Sequence, residues 1–181
     1  MSLFGNKESV KGKKSLVIYF SRADENYAVG NIEKGNTEVI AEYIQEITGA
    51  DLFKVEPVKP YSKNYKACCD EACLEETIND KKRNARPELK EYLDNISAYE
   101  VIYIGSPIYW GTMPMSMFTQ LEKLDFTGKL VKVFTTHEGS ELGNVVSDVK
   151  KICKGANVLD SLAIQGSLVH ESKGKVENWI K

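Results

Sequence analysis

The sequence predicts an α/β fold: a doubly wound, five-stranded parallel sheet with helices on both faces. Three observations predict it. Short, continuous apolar runs rich in β-forming residues recur along the chain, as strands covered on both faces require. Between them lie segments whose apolar residues repeat at helical spacing. Strand and helix signals alternate throughout without internal repeats, and parallel strands need such crossovers. The 181 residues suffice for one ordinary domain. It is expected over residues 15–181, after a flexible, mostly polar segment at residues 1–14.

Leu16-Val17-Ile18-Tyr19-Phe20 is the first strand. Asn36 or Thr37 then caps a helix with Val39, Ile40, Tyr43, Ile44 and Ile47 on one stripe and Gly49 at its end. A second strand is expected from Asp51 to Val58, closed by Pro57 and Pro60. The charged stretch from Tyr61 to Arg86 is expected to hold helix between Glu71 and Lys82. Pro87 is expected to open another helix, with Leu89, Tyr92, Leu93 and Ile96 inward. Val101 to Ile104 is the third strand, and Pro114 precedes a helix bearing Met115, Phe118, Leu121 and Leu124. Leu130 to Phe134, a helix near Val145 to Cys153, a fifth strand from Val158 to Ile164 and a last helix from Lys173 to Ile180 complete the order.

Composition narrows the function. Hydrophobic residues at 42% and charged residues at 28% exclude a disordered chain. A formal net charge of -2 gives no basic field for nucleic acid. The longest apolar run near the N-terminus is too short for a membrane span or a signal-peptide core, so the expected setting is cytoplasmic, without a membrane. Cys68, Cys69 and Cys73 crowd together with no histidine nearby to complete a metal set, and reduced thiols are the expectation.

In doubly wound sheets a ligand lies beyond the carboxyl ends of the strands, where the winding reverses. The loops after the first, third and fourth strands are therefore the ones to read. The first runs from Ser21-Arg22 to Gly35-Asn36-Thr37 and ends at a helix start, where backbone N–H groups and the hydroxyls of Ser21 and Thr37 suit a phosphate. An ordinary helix cap uses the same residue types. Gly30 to Thr37 resembles a triphosphate-binding loop, but Asn36 stands where that loop needs its lysine, and Gly30 lies far past the strand. The second loop, Gly105-Ser106-Pro107-Ile108-Tyr109-Trp110-Gly111, carries two adjacent aromatics able to cover a flat ring or to fill a packing gap. The third, Thr135 to Asn144 with Gly139 and Gly143, is a backbone-rich rim able to bond a ring's polar edge. A phospho-accepting receiver domain would need acidic residues where Ser21-Arg22 and Ser106-Pro107 stand.

Together these segments resemble the flavodoxin-like family, over nearly the whole chain from Leu16 onward. The resemblance implies a flavin mononucleotide (FMN) cofactor. It places Ser21, Asn36, Thr37 and Arg22 at the phosphate. Ser106, Pro107, Ile108, Tyr109, Trp110 and Gly111 would lie along the isoalloxazine, with Tyr109 and Trp110 as the stacking pair. Thr136, His137, Glu138 and Gly139 would flank its other side. His137 is the candidate for tuning the potential, since an imidazolium at the N1–O2 edge stabilises the anionic reduced ring. Residues 22–34 exceed the family's compact phosphate loop and, with Asn26 and Tyr27, are expected to form a lid or substrate rim. The family's carriers are strongly acidic and this chain is not. That favours an FMN oxidoreductase, fed by a nicotinamide and reducing quinone-like acceptors, over an electron carrier served by a protein reductase. A cofactor-free binding module of the same fold is the third reading.

Overall fold

Strand β1 (Ser15–Tyr19) is buried along its full length, and its side chains alternate between two cores. A strand with no solvated face needs helices on both sides, and the chain supplies them. A computed structural model describes residues 9–77 and 85–181. After β1 come a hairpin of β2 (Asp24–Asn26) and β3 (Gly30–Ile32), α1 (Asn36–Thr48), β4 (Asp51–Lys54) and α2 (Tyr65–Thr77). Then follow β5 (Val101–Pro107), α3 (Met115–Leu121), β6 (Leu130–His137), α4 (Val145–Ile152), β7 (Asn157–Val158), β8 (Leu162–Gln165) and, after a 3₁₀ turn, α5 (Lys173–Ile180).

The main sheet is parallel in the order β4-β1-β5-β6-β7, with β8 also pairing β6. Leu16, Ile18, Ile102, Ile104, Val131 and Val133 point to one face and pack with Met115, Met117, Leu121, Val145 and Val149 of α3 and α4. Val17, Tyr19, Val101, Tyr103 and Phe134 point to the other, against Val39, Ile40 and Ile44 of α1 and Val176 and Trp179 of α5. The winding reverses between β1 and β5, so Ser21 and Pro107 emerge side by side at the carboxyl edge. No helix among the described residues is long and apolar enough to cross a membrane.

Several expectations need correction. The N-cap of α1 is Gly35, and Asn36 and Thr37 form its first turn. Strand β4 ends at Lys54, although Val55 N–H still donates to Tyr19 O at 2.7 Å. Helix α2 begins at Tyr65, earlier than expected, and residues 78–82 of the expected helix lie outside the described residues. The long first loop contains the β2–β3 hairpin. In the N-terminal segment, Val10 is buried in the second core and Lys14 O accepts from Glu100 and Val101 N–H.

The helix expected after Pro87 does not form. Val58 N–H donates to Glu88 O and Lys90 N–H to Glu56 O, which draws this segment into an extended bridge between Pro57 and Leu89. The fully buried Gln120 amide then replaces a helical ladder by accepting from Leu93 N–H at 2.9 Å and donating to Leu93 O at 2.8 Å. The fifth strand is likewise divided into β7 and β8. The buried Lys132 on β6 reaches Asp160 at 2.9 Å and Trp179 O at 2.6 Å, and Asp160 lies in the break between the two pieces.

Gln120→Ala removes both bonds to Leu93. It is expected to lower unfolding free energy by about 1–3 kcal/mol, the cost of leaving such backbone groups unpaired, as read from urea denaturation.

Candidate functional site

At the winding reversal, the mouth of α1 sits directly on the end of β1. Gly35 makes this possible. A Cβ there would stand 2.2 Å from Ser21 Oγ and 2.6 Å from Arg22 O, so only glycine admits the approach. Ser21 Oγ in turn accepts the Glu38 N–H at 3.1 Å and thereby caps α1 from outside the helix. The buried Thr37 and Thr136 hydroxyls share a hydrogen bond of 2.7 Å, which joins the same helix mouth to β6. Three chain segments are thus held around one point carrying N–H groups and hydroxyls.

A cavity of about 300 Å³ opens there. Ten of the predicted residues line it: Ser21, Arg22, Asn36, Thr37, Pro107, Ile108, Tyr109, Thr136, His137 and Glu138. Four do not. Ser106 is fully buried and turns its hydroxyl onto Pro107 O at 2.7 Å. Gly139, at φ +130°, donates its N–H to His137 Nδ1 at 3.0 Å. Trp110 and Gly111 line a neighbouring cavity. Sequence reasoning leaves out Tyr65, which lines the first cavity; Ser140, of the third loop, also lines it, and Asn26 and Tyr27 enter it as the expected rim.

The hairpin forms that rim. Arg22 spends its terminal nitrogens on the carbonyls of Ala23 and Glu25, while its buried Nε has no hydrogen-bond partner. Glu25 accepts from Asn64 Nδ2 at 2.8 Å and from Tyr65 N–H at 2.9 Å, so a carboxylate fastens the hairpin to the start of α2. Tyr27 and Tyr65, both exposed, stand with ring centroids 5.8 Å apart at the cavity edge. No signal in the charged stretch around Tyr65 marks it as part of a site.

The other walls are set by local bonding. The Gly139 N–H makes His137 Nδ1 an acceptor, so the neutral ring carries its proton on Nε2. Glu138 is turned aside to Ser167 N–H and Gln165 Nε2, at 2.9 and 3.1 Å. The Tyr109 ring packs edge-on against Phe20 and Tyr61, and its hydroxyl meets Cys68 Sγ at 3.6 Å. Trp110 (φ +46°) and Gly111 (φ +85°) make a tight turn between Tyr109 and Thr112, which exchange both backbone hydrogen bonds. Asp148 accepts the Thr112 hydroxyl at 2.7 Å and Asn144 N–H holds Gly111 O at 2.7 Å. Burial pushes the Tyr109 hydroxyl and the Cys68 thiol up, and burial with a hydrogen bond to Cys69 lifts Tyr65 to about 12.

A model of the flavodoxin family matches residues 14–181. The chain belongs to the flavodoxin family. No curated protein sequence matches it. Among solved structures, a candidate flavoprotein from Bacteroides uniformis is 26% identical, with 94% of this chain and 99% of that one covered and a TM-score of 0.67. A candidate flavoprotein from Bacteroides eggerthii is 25% identical over 91% and 98%, with a TM-score of 0.63. A Lactobacillus acidophilus flavoprotein solved in complex with FMN shares the fold, at 24% identity over 88% and 97% and a TM-score of 0.58. In this chain the cavity lies at the edge where a doubly wound sheet receives a mononucleotide.

The donors present fit a phosphate. The glycine cradle, the helix mouth and the unpartnered Arg22 Nε all favour an anion at one end. Gly35→Ala is expected to force Ser21 and Arg22 apart and to lower stability by about 1–3 kcal/mol, the usual cost of overpacking. A shift of the urea midpoint to lower concentration checks it; an unchanged midpoint would show that the cradle yields freely.

Proposed function

We propose that this chain is an FMN-dependent oxidoreductase that takes electrons from a nicotinamide and passes them to quinone-like acceptors. Family membership, and the FMN carried by the Lactobacillus acidophilus relative, make FMN the cofactor. The observation that supports the rest is the α1 mouth: Gly35 pressed on Ser21, with Thr37 and Thr136 beside it and a cavity leading toward His137 and Tyr65. Bound FMN supplies a flat ring that accepts and releases electrons; the chain's own groups hold and tune it.

In this reading Ser21, Thr37 and the first N–H groups of α1 bond the phosphate, and Asn36 adds its amide. Ile108 supplies apolar contact to the ring, and Tyr27 and Tyr65 limit its access to water. His137 presents Nε2–H toward the ring's polar edge. The near-neutral charge and the hairpin rim favour a reductase with its own substrate over a carrier that docks on a protein reductase. Cys68, Cys69, Cys73 and Cys153 form no disulfide with one another, which suits a reducing cytoplasm.

The test begins with the visible spectrum of purified protein with and without added FMN, followed by NADH or NADPH turnover with a quinone. An FMN-loaded protein that turns over with neither donor would leave only the carrier reading. A protein that takes up no FMN would sink both. Ser21→Ala and Thr37→Val are each expected to weaken FMN by about 1.5–3 kcal/mol, the worth of a hydrogen bond to a charged group, and to leave riboflavin affinity unchanged. Flavin fluorescence titration with the two ligands reads this directly. His137→Ala is expected to make the midpoint potential more negative in a redox titration.

A further inference from the structure

The cavity at the α1 mouth and the one beside Trp110 form a continuous space, since Tyr65, Ile108, Tyr109 and Ser140 line both. Two elements supply its exposed wall. The β2–β3 hairpin contributes Asn26 and Tyr27, and α2 contributes Tyr65, Cys69 and Ala72. Neither is well anchored by apolar burial. No residue from 24 to 32 is buried, and among residues 65–75 only Cys68 and Ala72 are. A two-stranded hairpin without a buried face is marginal in water, and elements with few buried contacts open well below the cost of global unfolding. Polar bonds must therefore keep this wall shut.

Those bonds converge on Glu25. One of its carboxylate oxygens, Oε2, accepts from both Asn64 Nδ2 and Tyr65 N–H, and its own N–H donates to Lys63 O at 3.2 Å. Asn64 is at the same time the cap of α2: its Oδ1 accepts Ala67 N–H and its carbonyl accepts Cys68 N–H, both at 3.0 Å. The residue that starts the helix is thus the one that receives the hairpin. The exposed Lys63–Asp24 pair, 3.8 Å apart, adds little to this joint. Further along, Cys69 O accepts the Trp110 indole N–H at 2.9 Å and Cys68 Sγ meets the Tyr109 hydroxyl. The joint therefore also steadies the helix against the loop after β5.

We infer that Glu25 is a positioning residue whose carboxylate holds the hairpin and the head of α2 together over the cavity, and so sets the rate at which FMN enters and leaves. The inference rests on the FMN reading above. Glu25 itself does not line the cavity; it acts through Tyr27 and Tyr65, which meet at the cavity edge because of it. When its two hydrogen bonds part, the hairpin loses its hold on α2 and the exposed wall opens from both sides.

The test follows FMN uptake by the stripped protein, and FMN release from the loaded protein on rapid dilution, by stopped-flow flavin fluorescence. Glu25→Ala removes the acceptor. Asn64→Asp keeps the helix cap but sets a second carboxylate against Glu25 in place of a donor. Glu25→Gln keeps an oxygen able to accept both bonds. Glu25→Ala and Asn64→Asp should each raise the rate constants for uptake and for release at least tenfold, so that Kd moves less than either. Glu25→Gln should stay within threefold of the unsubstituted protein in both. A merely structural loss would not speed uptake. If Glu25→Ala fails to fold, Asn64→Asp decides alone. Uptake and release in Asn64→Asp within twofold of the unsubstituted protein would overturn the inference. So would faster release with unchanged uptake, the mark of a wall that touches the cofactor without barring its path. A protein that takes up no FMN at all is a separate result: it would overturn the proposed function, and this inference with it.

Discussion

The hydrogen bond between the Thr37 and Thr136 hydroxyls is the interaction on which the site's geometry depends. It crosses from the first turn of α1 to the end of β6, so the helix mouth and the loop carrying His137 cannot drift apart without losing it. Gly35 does the same on the other side by letting α1 rest on Ser21. The two contacts bracket the place where β1 and β5 part. Because both partners of the threonine bond are buried, breaking it strands two hydroxyls away from water, which costs more than the bond itself contributes.

The hairpin inserted between β1 and α1 makes few apolar contacts of its own and is secured through polar ones. Asn26 Nδ2 reaches the carbonyls of Arg22, Ala23 and Asp24, within 3.1 to 3.3 Å. Glu25 reaches α2. Asp24 and Ala28 take positive φ values, strain that this network must offset. The hairpin's placement is therefore coupled to the start of α2 through one carboxylate, and Tyr27 and Tyr65 meet because of it.

Much of the fold was legible in the sequence because its signals are local. The apolar run at Leu16 to Phe20, the stripe from Val39 to Ile47 and Gly49 at φ +72° follow directly from periodicity and chirality. The segment after Pro87 was not legible, because its conformation is decided by Gln120, nearly thirty residues away. The break between β7 and β8 was hidden for the same reason, since Lys132 reads as an ordinary strand residue until Trp179 and Asp160 surround it. At the site, the residues on the helix mouth and the strand ends could be placed from architecture. Tyr65 could not, because its position depends on a bond from Glu25, and the direction of the Trp110 ring depends on the Cys69 carbonyl.

The divided outer strand has a further consequence. A parallel sheet that ends on a long straight edge offers a row of free amides to any second chain. Here that border is two short pieces, of two and four residues, set apart around Asp160. An incoming strand would have to skip the interruption and lose its register there. The interruption, with Asp160 held there by the buried Lys132, therefore makes this border a poor template for an added strand.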